Sequence, residues 1–445
     1  MKRSGLFKGF SSVAVSLPVI MLLTQCNQPT GQTEIARWQY DRNGAVSITY
    51  DDGSINQFRK AVPIMNRLNI PGTFFINTGS VPGSTYQGKF IGRPVTEIIK
   101  ETRTVPTGAD NFLERASAAR YIGYKGSGEY FTRAGARMDA DKPEEAWKII
   151  DELYQKVNKG ELQKVSPVKR EDPGNDVLTW DMIREYVSQG HEFASHMVTH
   201  PYVAALDEVN LMYELEKSRD EILEKLGPRY TFSAECPYGT ENERAMEYAH
   251  KIYPALRNRM PEKFLDELNR SSKKSPVNSD KEYVQWQRGA TTKTPLPVMK
   301  AWVDTTATME NIWLVLVIHG IDGIGWEALT SESVDEYFQY IKSKEDKLWV
   351  ATFADATKYM RERMNADIKS TESKGKIIIE LTHSLDKSMY DIPLTLKTYV
   401  RRSWKEVSVQ QGENSVKLNT EKDEKGTYVM YLARPNTEAI EISAL

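Results

Sequence analysis

Cysteine is nearly absent from this chain: 445 residues hold two, Cys26 and Cys236. A framework of disulfides is therefore excluded, and the fold must be held by its core. An excess of one charge is lacking too, with 59 basic residues against 61 acidic and a formal net charge of -2. That balance gives no electrostatic reason to expect nucleic acid as a partner. Internal repeats and low-complexity tracts are missing. Histidine is scarce, at six residues. What is present is a 40% hydrophobic composition, ample for one large domain and a smaller one.

The first 26 residues read as targeting sequence. Lys2, Arg3 and Lys8 form a positive start, and Val13 to Leu23 a short apolar core. Eleven residues cannot span roughly 30 Å of hydrocarbon as a helix, so a conventional transmembrane segment is excluded. Leu23-Thr24-Gln25-Cys26 resembles a bacterial lipobox, in which the cysteine is lipidated, although Gln25 stands where a small residue is usual. The expectation is a lipoprotein signal peptide over 1–26, a tether over 27–40, and an exported protein anchored to a bacterial membrane through Cys26, in the periplasm or on the cell surface. Simple secretion with an incidental cysteine is the alternative. Lipidation of Cys26 would leave Cys236 without an intramolecular partner.

From about residue 44 to 365, short apolar runs alternate with amphipathic stretches. Val46–Tyr50, Gly72–Asn77, Glu192–Ser195, Tyr230–Ala234, Trp313–Ile318 and Trp349–Phe353 read as strands. The near-continuous apolar run Trp313–Ile318 suits a strand buried on both faces of a parallel sheet. Leu211–Leu226 has helical spacing and stops at Gly227-Pro228. This alternation predicts an α/β barrel or an open parallel sheet. Residues 83–176, with a helical run at Pro143–Lys159, interrupt the rhythm as an insertion, whether a shaper of the substrate groove or plain decoration. After Met364 a polar, linker-like stretch from Asn365 to Lys376 leads to short alternating strands at Lys376–Leu381, Leu394–Val400, Val407–Val409 and Tyr428–Ala433. Residues 365–445 are thus expected to form a small all-β domain, either binding carbohydrate or capping the barrel.

Three strand ends carry candidate chemistry, at the carboxyl ends where α/β barrels place active sites. Thr49-Tyr50-Asp51-Asp52-Gly53 sets two carboxylates side by side, which suits a metal or proton-transfer task, though an Asp-Gly turn is common. Gly190-His191-Glu192 and His196-Met197-Val198-Thr199-His200-Pro201 concentrate three of the six histidines. Two of them, at i and i+4, converge on one metal if the segment makes a single helical turn. His319 follows the most apolar strand. One carboxylate and two histidines make a three-ligand site with an open position; a second carboxylate supplies a base and a separate histidine an acid. These are the parts for metal-assisted hydrolysis of an ester or amide.

These residues resemble the polysaccharide deacetylases with the NodB-homology domain, carbohydrate esterase family 4. Thr49–Gly53 is similar to that family's Thr-Phe-Asp-Asp-Gly motif, Gly72-Thr73-Phe74-Phe75 to its second strand, and Leu316-Val317-Ile318-His319 to its late acid motif. Gly190-His191-Glu192 followed by His196–Pro201 resembles its metal motif. The resemblance spans roughly residues 44–360 and implies a distorted (β/α)7 barrel over 41–364. It implies Asp51 as general base toward water and His319 as the acid serving the leaving group. Asp52, His196 and His200 would hold a divalent ion, most often zinc, with cobalt the other candidate. Pro237 and Tyr238 would lie at the substrate, the backbone N–H of Tyr238 facing the oxyanion. The partner implied is an acetylated polysaccharide or oligosaccharide.

Two departures stand out. The family's Arg-x-Pro-Tyr is Glu235-Cys236-Pro237-Tyr238 here, and an acidic group in the arginine position would raise the pKa of Asp51. Either an arginine from elsewhere compensates or the base works differently. The Asp-Trp pair that polarises the acid histidine is also missing, with Asp304 a candidate by position alone. A catalytically impaired, carbohydrate-binding surface lipoprotein is therefore a competing reading. A non-haem iron oxygenase is another, since two histidines and a carboxylate also define that site.

Overall fold

The computed structural model describes residues 30–165, 177–260, 267–269, 276, 279 and 282–445. Cys26 and the expected signal peptide lie outside them. No helix among the described residues is long and apolar enough to cross a membrane.

The chain opens with β1 (Thr33–Ile35), β2 (Gly44–Tyr50), α1 (Val62–Leu68) and β3 (Thr73–Ile76). Four helices follow without a long strand between them: α2 (Val95–Glu101), α3 (Phe112–Ala119), α4 (Ser127–Asp139) and α5 (Pro143–Lys159). The alternation then resumes with α6 (Trp180–Ser188), β4 (Glu192–Ser195), α7 (Glu208–Leu226), β5 (Ser233–Ala234), α8 (Glu243–Ile252) and β6 (Ala255–Leu256). Next come β7 (Glu267–Asn269), β8 (Val284–Gly289), α9 (Leu296–Thr308), β9 (Ile312–Ile318), α10 (Ser331–Lys342), β10 (Leu348–Val350) and α11 (Phe353–Asn365).

The strands join in one sheet in the order β6-β5-β4-β3-β2-β9-β8-β7, with β10 pairing the start of β2. Every pairing in it is parallel. Among the described residues its end strands β6 and β7 do not pair with each other, so the sheet is a curled half-barrel with an open seam, matching the distorted (β/α)7 barrel expected. β2 and β9 are its axis: each of the seven residues of β2 is buried, as are six of the seven in β9. One face of each packs against α9 and α10 and the other is buried with residues of neighbouring strands and Phe353, which is why they read as unbroken apolar runs. Strands β6, β7 and β8 carried no comparable signal, because β6 has two residues, β7 three, and β8 alternates polar glutamines with apolar residues.

The insertion forms a helical layer rather than a loose loop. Ile98, Phe112, Phe131, Ile150 and Leu153 share one buried cluster with Leu211 and Leu215 of α7 and with Met197 beside β4. Its contact with the barrel is close: a Cβ on Gly135 of α4 would lie 2.2 Å from the Cβ of Tyr202. Glycine is required there by proximity.

Beyond α11 come β11 (Ala366–Ser373), β12 (Lys376–His383), β13 (Leu394–Tyr399), β14 (Glu406–Gln411), β15 (Asn414–Asn419), β16 (Glu421–Lys422), β17 (Thr427–Ala433) and β18 (Ile440–Ala444). They form two antiparallel sheets, β1-β13-β17-β16 and β11-β12-β18-β14-β15. This all-β region differs from the expectation at two places. Residues 33–35, read as part of a tether, pair antiparallel with β13. The polar stretch after Met364, read as a linker, is β11, an edge strand with mostly exposed residues; edge strands carry the polar composition of linkers.

Barrel and β region share a core. Trp313 of β9 stacks on Phe353 at 5.0 Å between ring centroids, and both belong to a buried cluster that includes Ile379, Leu396 and Ile442 of the β region. Phe353→Ala is expected to cost about 3–5 kcal/mol and to weaken both parts together. Denaturant unfolding followed by tryptophan fluorescence and by far-ultraviolet circular dichroism should give coincident, equally shifted transitions.

Candidate metal centre and catalytic cleft

Each candidate group stands one residue beyond a strand: Asp51 after β2, His196 after β4, Glu235 after β5, Arg257 after β6 and His319 after β9. Parallel strands end on the same face, so the topology itself gathers these side chains. They line a cavity of about 500 Å³ together with Asp52, His200, Tyr202, Tyr238 and Trp326.

The sequence sets Asp51 and Asp52 side by side, and the backbone sends them to different partners. Asp52 adopts the left-handed conformation, φ 73°, which aspartate tolerates better than most residues. Asp51 is 3% exposed and accepts two hydrogen bonds from Arg257, at 2.8 Å and 2.6 Å. The same guanidinium donates to the Thr49 hydroxyl at 2.6 Å and lies 3.3 Å from Glu235. Burial alone would push the Asp51 pKa up, but the positive charge and hydrogen bonds of Arg257 hold it well below the usual carboxylate range. The Asp51 carboxyl is thus ionised at neutral pH.

Arg257 is the residue that motif reading missed. The guanidinium expected before the Pro237-Tyr238 turn arrives from the next strand instead, while Glu235 takes the vacated position and pairs with it. The available signal was an apolar pair, Ala255-Leu256, ending in arginine soon after the helix pattern of α8. A two-residue strand is too short to show periodicity.

Asp52 faces the histidine pair. Its Oδ1 lies 3.7 Å from Nε2 of His196 and 3.2 Å from Nε2 of His200. One ligand atom from each residue falls within 4.8 Å of the others. Nδ1 of His196 is committed to the Glu235 carbonyl at 2.7 Å, which turns Nε2 toward Asp52, the arrangement seen for histidine ligands. Burial pushes the His196 pKa down to about 4, leaving a neutral imidazole with a lone pair to offer. Donor set, spacing and orientation fit a divalent ion.

The turn between these histidines is not the single helical turn anticipated. Met197 and His200 both have positive φ, 68° and 56°, so the loop reverses sharply. Such strain persists where surroundings over-determine it. Here Glu214 of α7 accepts from the backbone N–H groups of Val198 and Thr199, each at 2.9 Å, and from the Thr199 hydroxyl. Arg120, from the insertion, donates to that hydroxyl at 2.8 Å. Insertion and α7 together hold His200 in place.

His319 lies 3.5 Å from Asp51 through Nε2 and packs edge-on against Trp326 at 4.9 Å. Buried Gln57 ties the two strand ends together, donating to the Asp51 carbonyl at 2.6 Å and the His319 carbonyl at 2.5 Å. Asp304 does not serve His319: it sits on α9, bound by the Tyr340 hydroxyl at 2.7 Å and by Lys344. The third clustered histidine, His191, belongs to the opposite end of β4, accepting from Gly72 N–H at 3.1 Å and meeting Asn66 at 2.9 Å; its role is structural. Tyr238 has φ 60° and stacks on Tyr202, ring centroids 3.6 Å apart. Pro237 is buried, does not line the cavity, and shapes the Tyr238 turn.

Glu214→Ala should loosen the histidine turn. Affinity for a divalent ion measured by calorimetry is expected to fall about 10- to 100-fold, with Asp52, His196 and His200 intact.

Three comparisons bear on this geometry. The family described as polysaccharide deacetylase matches residues 153–256, the segment holding His196, His200 and Tyr238. A gellan lyase from a Bacillus species is 27% identical over 277 residues, 58% of this chain and 11% of that protein; the chain spans about a tenth of the length of that curated relative. Among solved structures, peptidoglycan deacetylase PdaC from Bacillus subtilis is 11% identical with a TM-score of 0.33, covering 72% of this chain and 94% of that one. A family 4 carbohydrate esterase from Streptomyces lividans in complex with acetate is 13% identical with a TM-score of 0.31, covering 69% and 92%. The segment similar to the polysaccharide deacetylase family thus holds the two histidines that face Asp52 and the Tyr238 turn.

Proposed function

We propose that the protein is a metal-dependent hydrolase that removes acetyl groups from a carbohydrate. The observation that carries this reading is the Asp52, His196 and His200 cluster standing beside an Asp51 that Arg257 keeps ionised, with His319 3.5 Å from that base. A divalent ion held by the cluster would polarise the acetyl carbonyl and favour ionisation of the attacking water. Asp51 takes a proton from that water. His319 gives one to the sugar oxygen or nitrogen as the acyl bond breaks. The backbone N–H of Tyr238 is the donor this reading assigns to the developing oxyanion, an interaction of about 2.7–4 kcal/mol in other enzymes.

The competing view of an impaired, carbohydrate-binding protein drew on Glu235 in the arginine position and on the C-terminal module; the pairing of Arg257 with Asp51 speaks against the first of these grounds. The oxygenase view loses ground because its ligands normally lie on an antiparallel β fold, and these follow parallel strands. We assign the metal as zinc from the mixed carboxylate and imidazole ligands. Acetylated glycans, whether O- or N-acetylated, are the proposed partners, and the N-terminal sequence supports export with a lipid anchor at Cys26.

Acetate release from acetylated xylan and from N-acetylated chito-oligosaccharides tests the reading. Asp51→Asn and chelation should each abolish release; no release from either substrate by zinc-loaded protein would sink the proposal. Arg257→Gln should lower kcat/KM by about 100-fold, the order expected when a catalytic group is misplaced by about 1 Å. The sign of its pH effect follows from the charge removed. A depressed carboxyl stays ionised at every pH above the ordinary value of about 3.9, so Asp51 contributes no acid limb near neutrality. Without Arg257, burial dominates, the pKa rises, and activity should fall away at higher pH on the acid side. The same linkage gives the ion pair's stabilisation full strength above the unfolded-state value and removes it as pH drops further.

A further inference from the structure

Trp326 stands at the acid end of the cleft with 58% of its surface exposed. A single exposed aromatic ring is ordinary on a protein surface; this one also lines the cleft that holds Asp51, His196 and His319, and an indole there offers a stacking face. Its loop is not free to fold the ring away. Ile321 and Ile324 bond each other's backbone at 3.0 Å and 3.1 Å, and Leu329 N–H donates to the Gly320 carbonyl at 3.0 Å. A Cβ on Gly320 would lie 2.7 Å from that of Ala328, and one on Gly325, φ 97°, would lie 2.8 Å from the Ser54 hydroxyl. Glu327, next to Trp326, is held at φ 41° and pairs with Lys293. A strained, cross-braced loop thus keeps an indole presented to solvent beside His319.

The chemistry of the proposed reaction says what belongs there. The C–O or C–N bond of the acetyl group breaks as water's oxygen bonds to the acyl carbon. Asp51 accepts the water proton, and His319 supplies the proton that the leaving oxygen or nitrogen needs. That leaving atom is part of the sugar ring system, so the sugar must approach His319. The exposed aromatic face nearest to His319 is Trp326, with 4.9 Å between ring centroids. A pyranose offers an apolar C–H face suited to such an indole.

We propose that Trp326 is a specificity-determining platform on which the ring bearing the acetyl group stacks, making this site selective for glycan-borne acetyl over small acetyl esters. The inference rests on the deacetylase reading. At the other end of the same row of groups, Tyr238 packs on His200 at 4.6 Å and on Tyr202, so the cleft carries an aromatic surface at both ends and a glycan can lie across the reacting groups.

Steady-state kinetics of wild type, Trp326→Ala and Trp326→Phe on tetra-N-acetyl-chitotetraose, acetylated xylo-oligosaccharides and p-nitrophenyl acetate, with calorimetric binding of both oligosaccharides, test it. Trp326→Ala should raise KM for the glycan that wild type uses by about tenfold, near 1.4 kcal/mol in binding, with kcat within about threefold. The ratio of glycan to aryl acetate turnover should fall accordingly, and phenylalanine should restore most of the loss. A fall in kcat alone, an equal fall on aryl acetate, or an unchanged glycan KM overturns the platform. Aryl acetate turnover without turnover or binding of either oligosaccharide overturns it as well. Glycan binding that depends on Trp326 with no turnover of any substrate sinks the hydrolase reading and leaves the platform standing.

Discussion

The bidentate ion pair between Arg257 and Asp51 is the constraint around which the cleft is organised. Both partners are almost fully buried, and a buried charge without a partner is costly. The cost is met by geometry: two parallel hydrogen bonds, a third to Thr49, and Glu235 beside the guanidinium. A fork of fixed shape also fixes the carboxylate plane. The base is thereby aimed as well as ionised, and the two strands it bridges, β2 and β6, are locked in relative position.

Around that pair, the candidate metal-binding residues are held from outside the barrel. Asp52 is turned away from Asp51 by a left-handed residue, and His200 ends a reversed turn that would not persist alone. Glu214 and Arg120 satisfy its backbone and hydroxyl groups, so a helix of the barrel and a helix of the insertion share the support of one ligand. The insertion is accordingly part of the site, through Arg120, through Met197 in its buried cluster and through the Gly135 contact with Tyr202. The β region is bound to the barrel by a continuous aromatic and aliphatic core.

Much of this was legible in the chain. The strands that bear Asp51, His196 and His319 are apolar runs followed at once by a polar residue, a pattern that survives without any tertiary knowledge. Helix Pro143–Lys159 and the stop at Gly227-Pro228 were legible for the same reason, since each has its terminating residue in place. The errors fell where local signal is weak or ambiguous. Two polar segments became edge strands because a partner strand, not composition, decides pairing. The histidine turn was read as helical because i, i+4 spacing brings side chains together in a helix, and a tight reversal with positive φ achieves the same convergence.

The sequence by itself determined the chemical inventory: which carboxylates and imidazoles follow strands, in what order, and therefore which reaction class they can serve. Those facts depend on local patterning and residue type. Tertiary structure alone decided that the guanidinium comes from Arg257, that Glu235 is its counter-charge and not a defect, and that Trp326 faces the acid. The first two are meetings of residues 206 and 22 positions apart, set by the order of strands in the sheet, and no local pattern encodes a distance across a barrel; Trp326 stands near His319 in the chain, and the bracing of its loop turns it to the cleft.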